Sequence, residues 1–176
     1  MRSFCAVLLF LFAAGGLRAI TLRYWIDPCK PEAGCRLADP ELAQWALEAW
    51  QTASEGKLKL ERSSEPAKAQ IRIHGVSARE GLYGEAVGGD VYVRPEGGEG
   101  LMRETIVYLT CLHETGHALG LSHTADFADI MYSFQYGGDI GEYFARYRRR
   151  LERREDIRKN SGMSEADRRR LIRLLS

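Results

Sequence analysis

Three histidines within an eleven-residue segment restrict this chain more than any other feature of its sequence. The segment 113–123 reads HETGHALGLSH. Its first two histidines, His113 and His117, are four residues apart, so on an α-helix they lie one turn apart on the same face. Gly120 stands where a glycine can end a helix in the left-handed conformation. The pattern predicts a helix that ends near Gly120 and a reversal that brings His123 back towards the other two histidines.

This arrangement is typical of a zinc site. Zinc suits nitrogen ligands, and a catalytic zinc ion has three protein ligands and one position left for water. His113, His117 and His123 would supply the three ligands. Glu114 follows the first ligand and is better placed to hold the attacking water, as a general base, than to bind the metal. The sequence predicts one catalytic zinc ion and hydrolysis of peptide bonds by zinc-activated water.

The first nineteen residues have the features of a signal peptide. Arg2 provides a positive start, residues 6–14 form an apolar run too short to span a membrane, and Ala19 is a small residue at the cleavage position. We expect the segment 1–19 to be removed and the mature protein to be secreted or periplasmic. An N-terminal anchor helix is the alternative.

The cysteines fit an oxidising compartment. Cleavage would remove Cys5, and Cys29 and Cys35 could then close a small loop after the first strand. We predict a disulfide between them rather than two free thiols. Cys111 lies on an apolar helix and is expected to be a small buried hydrophobic residue.

Hydrophobic periodicity predicts the order of the elements. Asp39 is a possible cap for a first helix, in which Trp45 and Trp50 are expected to face the sheet, and a second helix spans residues 101–119. Because strands and a helix precede a hairpin and further helices, the α+β class fits better than repeated βαβ units. Alternating residues predict strands at 20–26, 57–60, 69–73, 82–87 and 90–94.

Beyond spacing, the segment 113–123 has the pattern of the metzincin zinc peptidases. Met131, in the IMY sequence at 130–132, resembles the methionine of their Met-turn, and the short connection 124–131 resembles the matrixin branch. The astacin branch has a tyrosine where this chain has Ser133. The resemblance implies a zinc-dependent endopeptidase with a twisted mixed sheet, an active-site helix, a small C-terminal subdomain and an apolar floor beneath the zinc at Met131.

The resemblance also implies a strand along which substrate lies. An extended protein or peptide substrate could pair with such an exposed edge through main-chain hydrogen bonds. The edge strand would therefore distinguish the side chains of a substrate only to a limited extent. The edge residues would be Leu82, Tyr83, Gly84, Glu85 and Ala86.

Several features depart from the matrixin pattern. Only His74 remains outside the motif, so the second, structural zinc of many matrixins cannot be built, and His74 is expected to be an ordinary strand residue. Residues 133–135 stand where matrixins usually have proline-x-tyrosine in the wall of the substrate pocket. The substrate preference of the matrixin pocket therefore cannot be assigned to this chain. The sequence leaves calcium binding open. The aspartates that could take part do not form a recognisable run of oxygen ligands: Asp90, Asp126, Asp129 and Asp139.

The C-terminal segment is basic. Residues 140–176 carry 12 Lys and Arg against 6 Asp and Glu, whereas residues 20–139 carry 11 against 18. We divide the chain into the signal peptide 1–19, a catalytic core 20–139 and a basic helical extension 140–176 that includes a closing helix. Residues 142–160 would be a solvated face, a partner for the acidic core, or a site for an anionic surface.

Three functions stay open from the sequence. The favoured one is a secreted zinc endopeptidase that acts as a monomer. A catalytically silent zinc-containing binding protein is the second, although a site that only holds metal has no need of Glu114. The third is a module that binds an anionic surface through its basic tail.

Overall fold

The structure, a computed structural model, describes residues 19–77, 83–94 and 98–176. Five strands in these ranges form one sheet of order β2-β1-β3-β5-β4. All neighbouring strands are parallel except β4, which pairs antiparallel with β5 at the edge. This mixed sheet with helices confirms the predicted α+β class. The strands are β1 (Ile20–Ile26), β2 (Leu58–Arg62), β3 (Ile71–Gly75), β4 (Gly84–Val87) and β5 (Asp90–Val93).

The helices form a second layer and a C-terminal cap. Their bounds are α1 (Asp39–Ala53), α2 (Gly100–Ala118), α3 (Ile140–Arg148), α4 (Asp156–Lys159) and α5 (Glu165–Leu174). Alternate residues of the central strands, such as Ile71, Ile73 and Val91, are buried beneath this layer. Across the described ranges, none of the helices combines the length and the apolar character needed to cross a membrane.

The first two helices pack against each other. Trp50 is fully buried, and its Nε1 donates a hydrogen bond to the Leu112 carbonyl of α2 at 2.8 Å. The prediction that both tryptophans face the sheet did not include these partners: Trp50 bonds to α2, and the Arg154 guanidinium lies over the Trp45 ring. A buried indole needs an acceptor for its N–H, and α2 provides one. This contact places α1 directly behind the segment that carries the histidines.

Asp39 has a different role from the cap that the sequence predicted. It is the first residue of α1, and its side chain forms a two-bond ion pair with Arg103 of α2, at 2.8 Å for each bond. Arg103 also donates to the Gly34 carbonyl at 3.1 Å. That carbonyl lies in the loop between Cys29 and Cys35, whose sulfur atoms are bonded to each other. Both helices are thus joined to the loop after β1.

The basic segment begins as a helix but is not one continuous helix. Helix α3 ends at Arg148, whose side chain donates to the Leu151 carbonyl at 2.7 Å, and turns follow before α4. Leu151 and Ile157 are buried by these turns. Asp156 supports the reversal because its carboxylate accepts the N–H groups of residues 152 and 153 at 3.0 and 3.1 Å. The reversal folds the segment back onto α1.

Candidate metal centre

Helix α2 and the turn after it bring the three predicted ligands together. The Nε2 atoms of His113 and His117 are 3.2 Å apart, those of His113 and His123 are 3.2 Å apart, and those of His117 and His123 are 3.0 Å apart. Gly120 adopts a φ of +99°, in the left-handed region, and allows the chain to turn back. The helix and the reversal thus lie where the sequence predicted them.

Backbone carbonyls fix the tautomers of two ligands. Nδ1 of His113 lies 2.6 Å from the Ile130 carbonyl, and Nδ1 of His117 lies 2.8 Å from the Leu121 carbonyl. Because a carbonyl can only accept, each Nδ1 carries the proton and donates it. In the neutral ring, each Nε2 therefore has the free lone pair, and it is turned towards the other histidines.

This donor set fits zinc. Bonds of about 2.0–2.1 Å from zinc to nitrogen separate tetrahedral ligands by roughly 3.3–3.4 Å, close to the observed spacing. Burial lowers the pKa of His113 to about 4, so its ring is neutral near pH 7, as a ligand must be. In the described ranges, no other group of three His, Cys, Asp or Glu side chains is arranged to share a metal ion.

Met131 lies fully buried against the helix that carries the histidines. A Cβ atom on Gly116 would overlap its Sδ and would lie 2.9 Å from Cζ2 of Trp50. The segment that contains Met131 is held in place by a hydrogen bond, in which the Thr124 N–H donates to the Met131 carbonyl at 2.8 Å. Met131 is therefore an apolar support that packs against Gly116. Gly116 lies in the sequence between the two helical histidines, His113 and His117.

Glu114 is almost buried, at 8% exposure, and shares a pocket wall with His113. Burial raises the pKa of its carboxyl to about 7, the Glu85 carboxylate adds to the rise, and the Arg94 guanidinium opposes it. A carboxyl group whose pKa lies near the working pH is suited to taking up and releasing a proton. This chemistry fits the predicted general base.

Strand β4 forms the open edge of the sheet beside Glu114. It begins at Gly84; Tyr83 precedes it, and Leu82 lies outside the described residues. A Cβ on Gly84 would lie 2.5 Å from Cγ2 of Thr110 and 2.7 Å from Cγ of Glu114. The predicted edge residues from Tyr83 to Ala86 therefore run close along α2, where an extended peptide could pair with them.

An aromatic pocket of about 220 Å³ opens next to His113 and Glu114. Helix α3 contributes Tyr143 and Phe144, although the predicted division at residue 139 assigned that helix to the extension. Phe134, from the segment that departs from the family pattern, packs edge-on against Tyr143 with ring centres 5.4 Å apart. The basic extension therefore forms part of the cleft.

Sequence reasoning missed two side chains that support His113 through the backbone of Ile130. The Tyr143 hydroxyl donates to the carbonyls of Asp129 and Ile130 at 3.0 and 3.2 Å. The Asp167 carboxylate accepts the N–H groups of Ile130 and Ser164 at 2.8 and 2.9 Å. Asp167 lies in the first turn of α5, and no sequence signal joined it to Ile130.

His74 takes no part in this site. It lies on β3, and its Nε2 is 2.9 Å from Oδ1 of Asp90. Asp90 also accepts two hydrogen bonds from Arg72 at 2.6 and 2.7 Å, and these contacts hold the pKa of its carboxyl well below the usual range. His74 is thus the satisfied strand residue that the sequence predicted.

A mixed sheet, a helix and following turn that bring three histidines together, and a buried methionine after them define a metallopeptidase domain of the metzincin class. The family model of the matrixins matches residues 48–140, just over half of the chain. This range includes all three histidines, Glu114 and Met131, and the chain belongs to the matrixin family. No match was found among curated proteins. The family indicates a zinc metallopeptidase.

Proposed function

We propose that this protein is a zinc-dependent endopeptidase that acts outside the cytoplasm. The observation that carries the proposal is the convergence of three Nε2 atoms within 3.2 Å, with Glu114 beside them at the wall of the same cleft. A centre that only stores metal has no use for a buried carboxyl group at this position. This favours hydrolysis over a silent binding role.

His113, His117 and His123 would hold the zinc ion. When bound, zinc polarises the peptide carbonyl and makes water a stronger nucleophile near neutral pH. Glu114 takes a proton from the attacking water and delivers it to the leaving nitrogen as the carbon–nitrogen bond breaks. The water oxygen becomes part of the new carboxyl group, so no covalent bond to the protein is required.

The cleft orients the substrate on two sides. Strand β4 offers main-chain groups to an extended peptide, and this contact depends little on the substrate's side chains. The aromatic pocket next to His113 is lined largely by aromatic and apolar side chains and suits one large apolar side chain of the substrate. We therefore expect cleavage at bonds adjacent to large apolar residues within unfolded or extended segments.

Export is the part of the proposal that depends on the N-terminus. The features of the segment 1–19 support a cleaved signal, and the bond between Cys29 and Cys35 suits an oxidising compartment. Expression with export should yield a monomer that begins at Ile20. N-terminal sequencing and light scattering measure these two properties.

Glu114→Gln tests the mechanism with little change in shape. We expect hydrolysis of a denatured protein to fall by about 10²–10⁴-fold while the variant still binds one equivalent of zinc. Glu104→Gln is a matched control, because it removes a carboxylate from the same helix, and it should keep its activity. Full activity in Glu114→Gln would contradict the general-base role. An inactive wild-type protein that still binds zinc would support the silent binding protein instead.

A further inference from the structure

Part of the basic C-terminal segment neutralises the acidic core of the same chain. Arg154 forms ion pairs with Glu41 of α1 at 2.5 Å and Glu104 of α2 at 3.2 Å. Its guanidinium also lies 4.6 Å from the centre of the Trp45 ring. Arg158 pairs with Glu48 at 2.9 Å. These two arginines attach the segment to α1 and are not free for a partner.

Several cations of the segment, including the already paired Arg158, surround a concave pocket of about 570 Å³ between α1 and the C-terminal turns. We call it the arginine pocket, defined by Arg150, Arg158, Lys159 and Arg168. Glu48 is the only carboxylate on its described wall, and Arg158 already binds it. Within the described ranges, Arg150 and Arg168 make no ion pair with a carboxylate of the chain. The pocket therefore carries a surplus of positive charge.

The remaining lining indicates the chemistry of a ligand. Thr52, Asn160 and Ser161 add hydroxyl and amide groups to the wall. Trp45 is 6% exposed and offers little ring surface for stacking a base. None of the large exposed hydrophobic side chains of the described residues lines the pocket, so it has no apolar anchor for a lipid bilayer. A strongly hydrophilic anion with many hydroxyl groups fits this lining best.

We propose that the arginine pocket binds an acidic polysaccharide through its sulfate or carboxylate groups. Arginine guanidinium groups bind such oxyanions with two parallel hydrogen bonds, and the volume falls within the ~300–1,000 Å³ typical of pockets for small ligands. The pocket shares no lining residue with the aromatic pocket beside the metal centre. Binding there leaves the cleft open, so the site holds the protein on a polyanion while the cleft remains accessible.

A calorimetric titration of the whole mature protein tests the site. The probes are a sulfated heparin fragment and a hyaluronan fragment that carries carboxylates only, each at about 0.15 M salt, where diffuse surface attraction is screened beyond ~8 Å. We expect at least one fragment to bind with a stoichiometry of one. The fragment that binds more tightly identifies sulfate or carboxylate as the group that the pocket prefers.

The double variant Arg150→Gln/Arg168→Gln should weaken binding by about 10-fold or more, because two direct charge contacts are lost. The matched control is Arg149→Gln/Arg169→Gln, which removes the same charge one residue away. These control arginines are exposed and pair with Glu142 and Glu165. We expect the control to change the affinity by less than about 2-fold. Thermal melting verifies that both double variants are folded.

Four results would overturn the proposal. They are equal weakening in the two double variants, no binding of either fragment, tighter binding of polyglutamate, and tighter binding of phosphatidylserine vesicles. The proposal does not depend on peptidase activity. Glu114→Gln protein should bind the fragment with unchanged affinity, so a failure of this site and a failure of the peptidase are measured separately.

Discussion

The metal centre and the arginine pocket each gather several basic side chains, but the fold holds them in different ways. At the metal centre, two imidazoles are fixed by buried backbone carbonyls, and the support beneath them is packed without space for one extra carbon at Gly116. In the arginine pocket, the cationic side chains are exposed. The first site is rigid before any ligand arrives, whereas the second can adapt its long side chains to the ligand.

This difference predicts how the free energy of unfolding depends on each region. Substitutions beneath the metal centre should be costly, because buried polar groups lose their partners or packed atoms overlap. Substitutions in the arginine pocket should cost little, because exposed ion pairs contribute little to stability.

Asp167→Ala should have the largest effect. It leaves the buried N–H groups of Ile130 and Ser164 without their acceptor, which costs about 3 kcal/mol of unfolding free energy. Zinc affinity should also fall, because the Ile130 carbonyl orients His113. Urea unfolding and a competitive zinc titration measure the two effects. Asp126→Ala, which removes an exposed turn carboxylate, should cost less than about 1 kcal/mol. Equal losses in both variants would argue against a rigid support.

Gly116→Ala should destabilise the protein by about 1–3 kcal/mol, because the new methyl group overlaps Met131 and approaches Trp50. The better helix propensity of alanine offsets only up to ~1 kcal/mol of this cost. Gly75→Ala is the control, since its Cβ would meet only Cys35 at 3.9 Å. Thermal melting compares the two variants. An unchanged melting temperature in Gly116→Ala would mean that Met131 can move away from the helix.

Tyr143→Phe should lower the unfolding free energy by about 1 kcal/mol, because the hydroxyl no longer donates to the carbonyls of residues 129 and 130. The ring remains, so the aromatic pocket should keep its shape. Tyr136→Phe is the control, with a side chain 57% exposed, and should be neutral. A neutral result for Tyr143→Phe in urea unfolding would show that the Ile130 carbonyl needs no support beyond His113.

Arg158→Gln should have the smallest effect, below about 0.5 kcal/mol, because its pair with Glu48 is 61% exposed on the arginine side. High salt should change the unfolding free energy of the variant less than that of the parent protein, because the variant lacks an ion pair that salt would weaken. Urea unfolding at two salt concentrations measures both quantities. A loss of unfolding free energy above about 1.5 kcal/mol would mean that this region is held as rigidly as the metal centre.

Local geometry explains what could be predicted. The spacing of His113 and His117 places them on one helical face in any fold, and Gly120 permits the reversal that follows. Strand positions were also predictable, because alternation of apolar residues depends only on the pleat of the strand. The edge position of β4 agrees with the matrixin resemblance.

Contacts between distant segments explain what could not be predicted. Trp50 was expected to face the sheet, but periodicity gives the buried side of a helix without naming its partner. Residues 140–176 were predicted to be a helical extension, and nothing in the sequence indicated the turns after Arg148. Likewise, nothing in the local sequence joins Tyr143 or Asp167 to Ile130, because these pairs form only when α3 and α5 close over the turn.

The sequence by itself determined which three histidines converge and the α+β class, and it predicted Glu114 as the general base, because each depends on short spacings along the chain. It also determined that the C-terminal segment is basic. Only the tertiary structure decided which arginines are neutralised by α1 and α2 and which ones face a pocket. Charge is a property of the residues present, whereas the pairing of charges depends on distances of a few ångströms between segments that are far apart in sequence.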